Sequence, residues 1–421
     1  MDFSESVEYL YGLQRFGIKL GLENMRGLLA KLPELGSLPP CVHVAGTNGK
    51  GSVSALLAEI LKHSGLRVGL YTSPHLHCFS ERIRINGEPV TQTAIVELTA
   101  AVRAAADDIP VTFFEATTAM ALLAFVRNRV DIAIVETGLG GRLDATNIVE
   151  PQLCLITPVS RDHAEHLGET IAEIAAEKAG IIKPGVPVIA GRQLPQAQQV
   201  LAATAARQQA ELLSADVDFS WGGSHENFQV SGSDYSLDGL TCPLNGTHQL
   251  DNFAHAISAA KKLESLGWPV ADKAIAQAGQ SACWPGRLEW WGDDRSLLFD
   301  VCHNRAGVTA MVDYLQAEGI ASARFVVGLS GERDAEEVLT PLSSLNAQIY
   351  AVPVPEVDSL APARIADWAR SVSLTSKVFD SAEAGFAAAR AEGADGPVVV
   401  CGSLFLVSAL RQRVSRLLNA D

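Results

Sequence analysis

No apolar stretch among the 421 residues approaches the roughly 20 that a bilayer-spanning helix requires, so no part of the chain is expected to cross a membrane. Cations are in short supply. Against 48 Asp and Glu stand 33 Lys and Arg, and the resulting net charge of −15 argues against a nucleic-acid partner, because phosphate neutralisation needs clustered basic residues. The seven cysteines, at 41, 78, 154, 242, 283, 302 and 401, are odd in number and scattered, with no Cys-x-x-Cys pair to hold zinc or run redox chemistry. Reduced, mainly buried thiols are expected. The opening Met1-Asp2-Phe3-Ser4-Glu5 lacks a basic region ahead of an apolar one, so no secretory signal is expected and the cytoplasm is the expected location. Internal repeats, low-complexity tracts and a persuasive Ser-His-Asp arrangement are also missing.

What is present is ordinary globular material, 48% hydrophobic and 19% charged, in a chain too long for one core. Apolar strand-like runs at 41–45, 67–71, 131–135, 153–157 and 186–190 alternate with helical stretches near 52–64, 92–106, 116–128 and 170–180. That rhythm predicts a parallel sheet covered on both faces. From about 211 to 243 the texture turns to Gly, Ser, Asp and aromatics, which suggests an antiparallel appendage, and a helix follows near 250–266. Pro285-Gly286 punctuates a hinge, beyond which a fresh αβ rhythm begins. The expected fold class is therefore α/β: a parallel-sheet domain over 1–284 and a smaller Rossmann-like domain over 285–421.

The most informative segment is Gly46-Thr47-Asn48-Gly49-Lys50-Gly51-Ser52, set between the apolar run 41–45 and a helical pattern. A buried strand turning through glycines into a helix start leaves backbone N–H groups aimed at one spot, where the helix dipole favours an anion. Lys50 supplies a mobile cation for the terminal phosphates and Ser52 a hydroxyl for Mg²⁺. The spacing departs from the usual P-loop: Val44 stands where the first Gly belongs and Gly51 separates Lys50 from the hydroxyl. Glu136, at the end of the run 131–135, sits where a Mg²⁺ ligand belongs in nucleotide-binding sheets, though a turn acid or helix cap would look the same. His163, after the run 153–157, falls at the same carboxyl edge and is a candidate for a second metal. Ser73 adds a hydroxyl there. The alternation Arg82-Ile83-Arg84-Ile85 reads as a short strand with two cations on one face, free to meet an anionic substrate or simply solvated. Lys178 reads from its spacing as no more than a helix-end lysine favoured by the dipole.

Taken in order, Gly46 to Ser52, Ser73-Pro74-His75-Leu76 with Glu81-Arg82-Ile83, Glu136 to Asn147, Asp162-His163 and Glu177-Lys178-Ala179-Gly180 resemble the folylpolyglutamate synthase family. Further matches are Gly246-Thr247-His248-Gln249 with Asn252, Pro285-Gly286-Arg287, and Asp300-Val301-Cys302-His303-Asn304. The family is similar in fold and chemistry to the Mur ligases. The resemblance implies an ATP-dependent amide ligase that joins L-glutamate to a folate and, in many bacterial members, to dihydropteroate. It implies that Thr47, Asn48, Gly49, Lys50, Gly51, Ser52, Asn252, Arg287, Asp300 and His303 meet ATP, the C-terminal domain closing over the nucleotide. Ser52, Ser73, Glu136 and His163 would hold Mg²⁺ at two sites, with Lys178 carried as a carbamate that bridges to the second ion. Lys50, Lys178 and His163 are the expected catalytic residues. Thr112, Phe113, Phe114, Glu115, Leu143, Asp144 and Ala145 match pterin-side positions, and with Arg82 make the expected substrate set. Two departures stand out: Arg305 replaces the proline common after His-Asn, and Gly17 to Arg26 only loosely match the N-terminal pterin loop.

A monovalent cation such as K⁺ and a monomeric state complete the expectation, with small molecules as the only partners. Two rival readings fit a phosphate turn of this kind. A Mur-type ligase acting on a UDP-linked sugar peptide would need a separate nucleotide-sugar domain, and only 45 residues precede the phosphate loop. A non-catalytic nucleotide-dependent regulator of the same fold has no use for the set Lys50, Glu136, His163 and Lys178.

Overall fold

The computed structural model describes residues 1–16, 21–162, 164–331, 333–393 and 395–418. Two units divide the chain, one formed by Met1–Pro243 with Gln249–Cys283 and the other by Leu244–His248 with Trp284–Asp421.

The first unit is built on eight strands: β1 (Cys41–Ala45), β2 (Val68–Tyr71), β3 (Ile83–Ile85), β4 (Glu88–Pro89), β5 (Ile132–Glu136), β6 (Leu153–Ile156), β7 (Val188–Ala190) and β8 (Leu212–Ser214). Their order across the sheet is β4-β3-β2-β5-β1-β6-β7-β8. All neighbours from β2 to β8 run parallel, and only β3 and β4 are added antiparallel. β1, β2, β5, β6 and β7 are buried at every position, as a sheet with both faces covered requires. One cover is the helix Phe113–Arg127, whose residues 115–125 are all buried. A helix apolar on every side belongs inside a core, and replacing its Phe125 by Ala would cost about 3–5 kcal/mol. The chain leaves β1 toward β2 on one side and leaves β5 toward β6 on the other. A crevice therefore opens beyond the carboxyl ends of β1 and β5, where ligands sit in such sheets.

The appendage expected from the change of texture is a three-stranded antiparallel sheet of β9 (Phe219–Gly223), β10 (Phe228–Gly232) and β11 (Ser236–Leu240). Along β10 only Phe228 and Val230 are buried, a period of two that gives the sheet one apolar face. The helix Thr247–Ser265 follows.

The second unit has six strands: β12 (Glu289–Trp291), β13 (Leu297–Phe299), β14 (Ser322–Val327), β15 (Asn346–Ala351), β16 (Thr375–Val378) and β17 (Val398–Cys401). They are ordered β12-β13-β17-β14-β15-β16, parallel except for the edge strand β12. β13 and β17 are buried at every position and β14 at all but its first. No described helix is long and apolar enough to cross a membrane.

Candidate active site

The phosphate turn starts where β1 ends. Gly46 has φ +147°, and a Cβ there would come within 1.8 Å of Thr157 Oγ1; Gly49 has φ +87°, and a Cβ there would meet Asn252 Oδ1 at 2.5 Å. Only glycine satisfies both the backbone and the space. Between them, Thr47 N–H donates to Pro158 O at 3.0 Å, while its hydroxyl donates to Ser160 O and accepts from Ser160 N–H, each at 3.1 Å. The turn is thus fastened to the segment after β6. Gly49 then hands the chain to the helix Lys50–His63 without a side-chain cap, so the first helical N–H groups have no side-chain acceptor. Ser52 is buried in its first turn. Asn252, packed against Gly49, is one expected nucleotide residue that the structure brings to the turn; its amide donates to Gln249 Oε1 at 2.8 Å.

Two lysines converge on one carbonyl. Lys50 Nζ donates to Gly46 O and Thr47 O, both at 3.1 Å, and Lys178 Nζ donates to Gly46 O at 2.8 Å. Lys178 stands in the last turn of its helix, as its spacing suggests, but is buried there: it is 4% exposed, and its pKa falls to about 7 because burial disfavours the ammonium, with the nearby Lys50 charge acting in the same direction. The helix Ile171–Ala179 that carries it is started by a capping box between Thr170 and Glu173. Glu136 closes β5, is 4% exposed, and accepts the Ser73 N–H at 3.0 Å through Oε2. His163, the other expected metal ligand, lies outside the described residues, as do Gly17, Ile18, Lys19 and Leu20 of the loosely matched N-terminal loop. Among the described residues, no three His, Cys, Asp or Glu side chains form a cluster able to hold a metal.

Beside Ser73 lies a cavity of about 420 Å³, lined by Arg82, Thr112, Phe113, Phe114, Glu115, Leu143, Asp144 and Ala145 together with Gln14, Ser73, Pro74, Gly138 and Leu139. Every residue of the expected substrate set therefore lines one cavity. The strand reading of Arg82 needs correction: only Ile83–Ile85 is strand, and Arg82 ends the 3₁₀ turn Phe79–Arg82, where it is 7% exposed. The cause is Glu81, whose carboxylate accepts the N–H groups of Leu76, His77 and Cys78 and curls the chain ahead of β3. Arg84 instead donates to Gly87 O at 3.0 Å.

The cavity acids are firmly held. Glu115 and Thr112 form a capping box for the helix Phe113–Arg127, and Glu115 Oε2 also accepts from the Asn24 amide at 3.1 Å. Asp144 accepts the N–H groups of Gly138, Leu139 and Thr146 and the Thr146 hydroxyl; burial raises its pKa, against the pull of those four donors. Behind it, His43 Nε2 meets Thr146 Oγ1 at 2.9 Å, and burial lowers the His43 pKa to about 3. The Thr146 proton is given to Asp144, so Nε2 carries the His43 proton. His75 is also neutral, its pKa lowered to about 4 by burial and by Arg82. Asn24 belongs to the loosely matched segment Gly17 to Arg26, whereas Gln14 and His43 had no signal, because a single polar residue in an apolar or helical stretch carries no spacing pattern.

In the second unit Asp300 follows β13 and is spent on backbone: Oδ2 accepts Leu288 N–H and Oδ1 accepts Cys302 N–H, both at 2.8 Å. These bonds hold the turn that carries Arg287, in which Gly286 has φ +75° and Leu288 has φ +44°, unusual for a residue with a Cβ. Gly286 N–H donates to Glu289 Oε2 at 2.7 Å, and Arg411 grips the same carboxylate with two bonds of 2.8 and 2.9 Å. His303 lies two residues beyond Val301, whose carbonyl is 3.0 Å from its Nδ1. Asn304 caps the helix Arg305–Ala317 by accepting Gly307 N–H at 2.9 Å. Arg305 is then the first helical residue, a position that suits proline and accepts arginine equally, which accounts for that departure.

The Mur ligase middle domain family matches residues 44–260, and the C-terminal domain of dihydrofolate synthetase matches residues 289–413. The chain is 35% identical to the folylpolyglutamate synthase of Lacticaseibacillus casei over 98% of both chains. It is 33% identical to the dihydrofolate synthase/folylpolyglutamate synthase of Bacillus subtilis, over 98% of this chain and 99% of the relative. Among solved structures, Escherichia coli FolC in complex with DHPP and ADP superposes with a TM-score of 0.91 at 31% identity, over 99% of this chain and 98% of that one. A folylpolyglutamate synthase complex with AMPPCP and folate gives 0.86 at 34% identity, over 98% of this chain and all of the other. Full-length likeness, the P-loop turn with its two lysines and the adjoining cavity agree: the chain belongs to the folylpolyglutamate synthase/dihydrofolate synthase family of ATP-dependent ligases, built on the Mur ligase fold.

Proposed function

We propose that this enzyme joins L-glutamate both to dihydropteroate and to reduced folates, at the expense of ATP, through an acyl phosphate. The observation that carries the reading is the place of Ser73. It lines the cavity, and its N–H is bound to Glu136, the acid at the mouth of the phosphate crevice, so a nucleotide and an aryl acid would meet there.

A carboxylate and an amine do not condense at neutral pH, because oxide cannot leave. In the proposed sequence a carboxylate oxygen bonds to the γ-phosphorus while the bond to the β–γ bridging oxygen breaks and ADP departs. The glutamate nitrogen then adds to the acyl carbon, phosphate leaves, and the nitrogen loses a proton. Lys50 would exchange the carbonyls of Gly46 and Thr47 for phosphate oxygens and compensate the charge that builds there. The N–H groups of the turn and the Ser52 hydroxyl orient the triphosphate, and Asn252 buttresses Gly49. Arg287, Asp300 and His303 are proposed as further nucleotide residues, with Asp300 acting through the turn that presents Arg287.

Hydroxyls at Ser52 and Ser73 and a buried carboxylate at Glu136 are hard oxygen donors that suit Mg²⁺, and His163 and a Lys178 carbamate complete the proposed set. Bound there, two Mg²⁺ ions would neutralise phosphate charge in the transfer. Carbamate formation consumes a neutral amine and CO₂ and releases a proton, and a lysine with its pKa near 7 presents that amine at physiological pH. K⁺ as an additional ion, a monomeric state and a cytoplasmic location belong to the same proposal and rest on the family pattern. The test offers dihydropteroate or tetrahydrofolate with ATP, with and without glutamate, and follows phosphate release and product mass. Release that needs both the acid and glutamate is expected with each; failure with dihydropteroate would reduce the activity to chain extension.

A further inference from the structure

Arg82 is a buried cation that no described carboxylate pairs with directly, the Glu136 charge acting on it only from a distance. It is 7% exposed, lines the cavity, and has no carboxylate within ion-pair distance among the described residues. An arginine taken from water without an acid is costly unless the site is meant to receive an anion. Its other contacts fix it in place without neutralising it. Nε–H donates to His75 Nδ1 at 2.7 Å, and the guanidinium carbon lies 5.1 Å from the ring centre of Phe113 and 5.9 Å from that of Phe79. Because an arginine Nε–H can only donate, His75 Nδ1 accepts and its proton sits on Nε2, which is 3.3 Å from the Tyr11 hydroxyl. Tyr11 in turn stacks on Phe113, with centroids 5.6 Å apart and planes 11° off parallel. His75 therefore occupies Nε, two rings pack against the guanidinium, and the terminal N–H groups remain as donors.

The rest of the cavity says what the anion is attached to. Glu115, whose bonds from Thr112 N–H and the Asn24 amide are both made through Oε2, is an acceptor suited to a heterocycle rich in N–H groups, and Phe113, Phe114, Pro74, Leu143 and Ala145 make apolar walls for a flat body. Ser73, in the same lining as Arg82, binds Glu136 beside the phosphate crevice, so a carboxylate held by Arg82 is on the side where phosphate would arrive. We propose that Arg82 binds the reacting carboxylate of the pterin-type acid through its terminal N–H groups, and that His75 is the positioning residue that sets the guanidinium plane. The inference rests on the folate-ligase reading above. Pairing with Arg82 lowers the repulsion between that carboxylate and the incoming triphosphate while leaving one of its oxygen lone pairs for the γ-phosphorus.

The test compares binding of dihydropteroate with that of its uncharged carboxamide, without ATP, by pterin fluorescence. The wild-type protein is expected to prefer the acid by about 30-fold or more, as charged two-pronged pairing does. Arg82→Gln should bind both within about threefold of each other, and Arg82→Lys, which keeps the charge but not the planar fork, should fall between. His75→Ala should cut the preference several-fold, and His75→Asn, whose Oδ1 can accept from Arg82, should restore most of it. A merely structural histidine would weaken acid and amide alike. An unchanged preference in Arg82→Gln, or in Arg82→Lys should the former not fold, overturns the proposal with the folate reading intact. A wild-type protein that binds neither compound overturns both.

Discussion

The carboxyl edge of the first sheet and the Arg287 turn of the second unit carry equally good motif matches, yet they use their polar side chains in different ways. In the first unit Lys50, Ser52, Lys178 and Arg82 stand around a crevice and a cavity, and the backbone there is shaped by glycines and fastened by Thr47. In the second, Asp300 and Glu289 give their carboxylates to backbone N–H groups and hold a turn whose Leu288 is in the left-handed region. Both regions bind backbone N–H groups with their acids, but the first also sets cations around a crevice and a cavity, whereas the second uses its acids to present a single arginine. A motif match alone does not distinguish the two uses.

If that contrast is right, the largest effect belongs to the first unit. Lys50→Ala should lower kcat by about 10³-fold, as loss of a preorganised charge in a transfer site does, with unchanged thermal unfolding. A wild-type rate would break the contrast at once. Lys178→Ala should abolish ligation, with partial recovery on adding small carboxylic acids if a carbamate is what was lost, and Lys178→Arg should not recover; phosphate release measures both.

Acid should separate the units physically. His43 and His255 of the first unit are buried, with pKa values lowered by burial to about 3 and about 4, whereas the second unit's His248 and His303 are partly exposed. Between pH 4 and 6.5 the unfolded chain binds protons that the folded one refuses. Stability therefore falls as pH drops through that window, by about 3 kcal/mol for His255 alone. Urea unfolding at pH 7 and pH 5 should show the first unit loosening first, and His255→Gln, which can still donate to Ile189 O, should flatten the decline.

Smaller effects test the second unit. Asp300→Asn turns one accepting oxygen into a donor facing a backbone N–H and should cost about 1–3 kcal/mol while raising the KM for ATP, a pairing not expected of Lys50→Ala. Glu289→Gln, which weakens the link from Arg411 to Gly286, should cost about 1 kcal/mol and move KM in the same direction. An Asp300→Asn protein of native stability that fails to bind ATP would recast Asp300 as a direct ligand.

Much of the fold was legible because parallel strands buried on both faces read as short apolar runs, and 41–45, 131–135 and 153–157 did. Boundaries slipped where side chains rather than periodicity decide them: Phe113 and Phe114 start a helix because Thr112 and Glu115 cap each other, and Arg82 left the strand because Glu81 curls the chain. The expected substrate set lies in one cavity although its members come from three segments, since motif order fixed their identity while topology made them neighbours. His43 had no such signal; it matters only through a partner about a hundred residues away.

From its order of residues alone this chain determined the alternation of strand and helix, the glycine turn beside Lys50 and its family, since these depend on local periodicity and on spacing within short motifs. Only the tertiary structure decided that Lys178 is buried against Gly46 with a depressed pKa, that Arg82 makes no ion pair with a described carboxylate, and that Asp300 is spent on backbone. The electrostatic state of a side chain is set by what packs around it, and those neighbours arrive from distant parts of the chain.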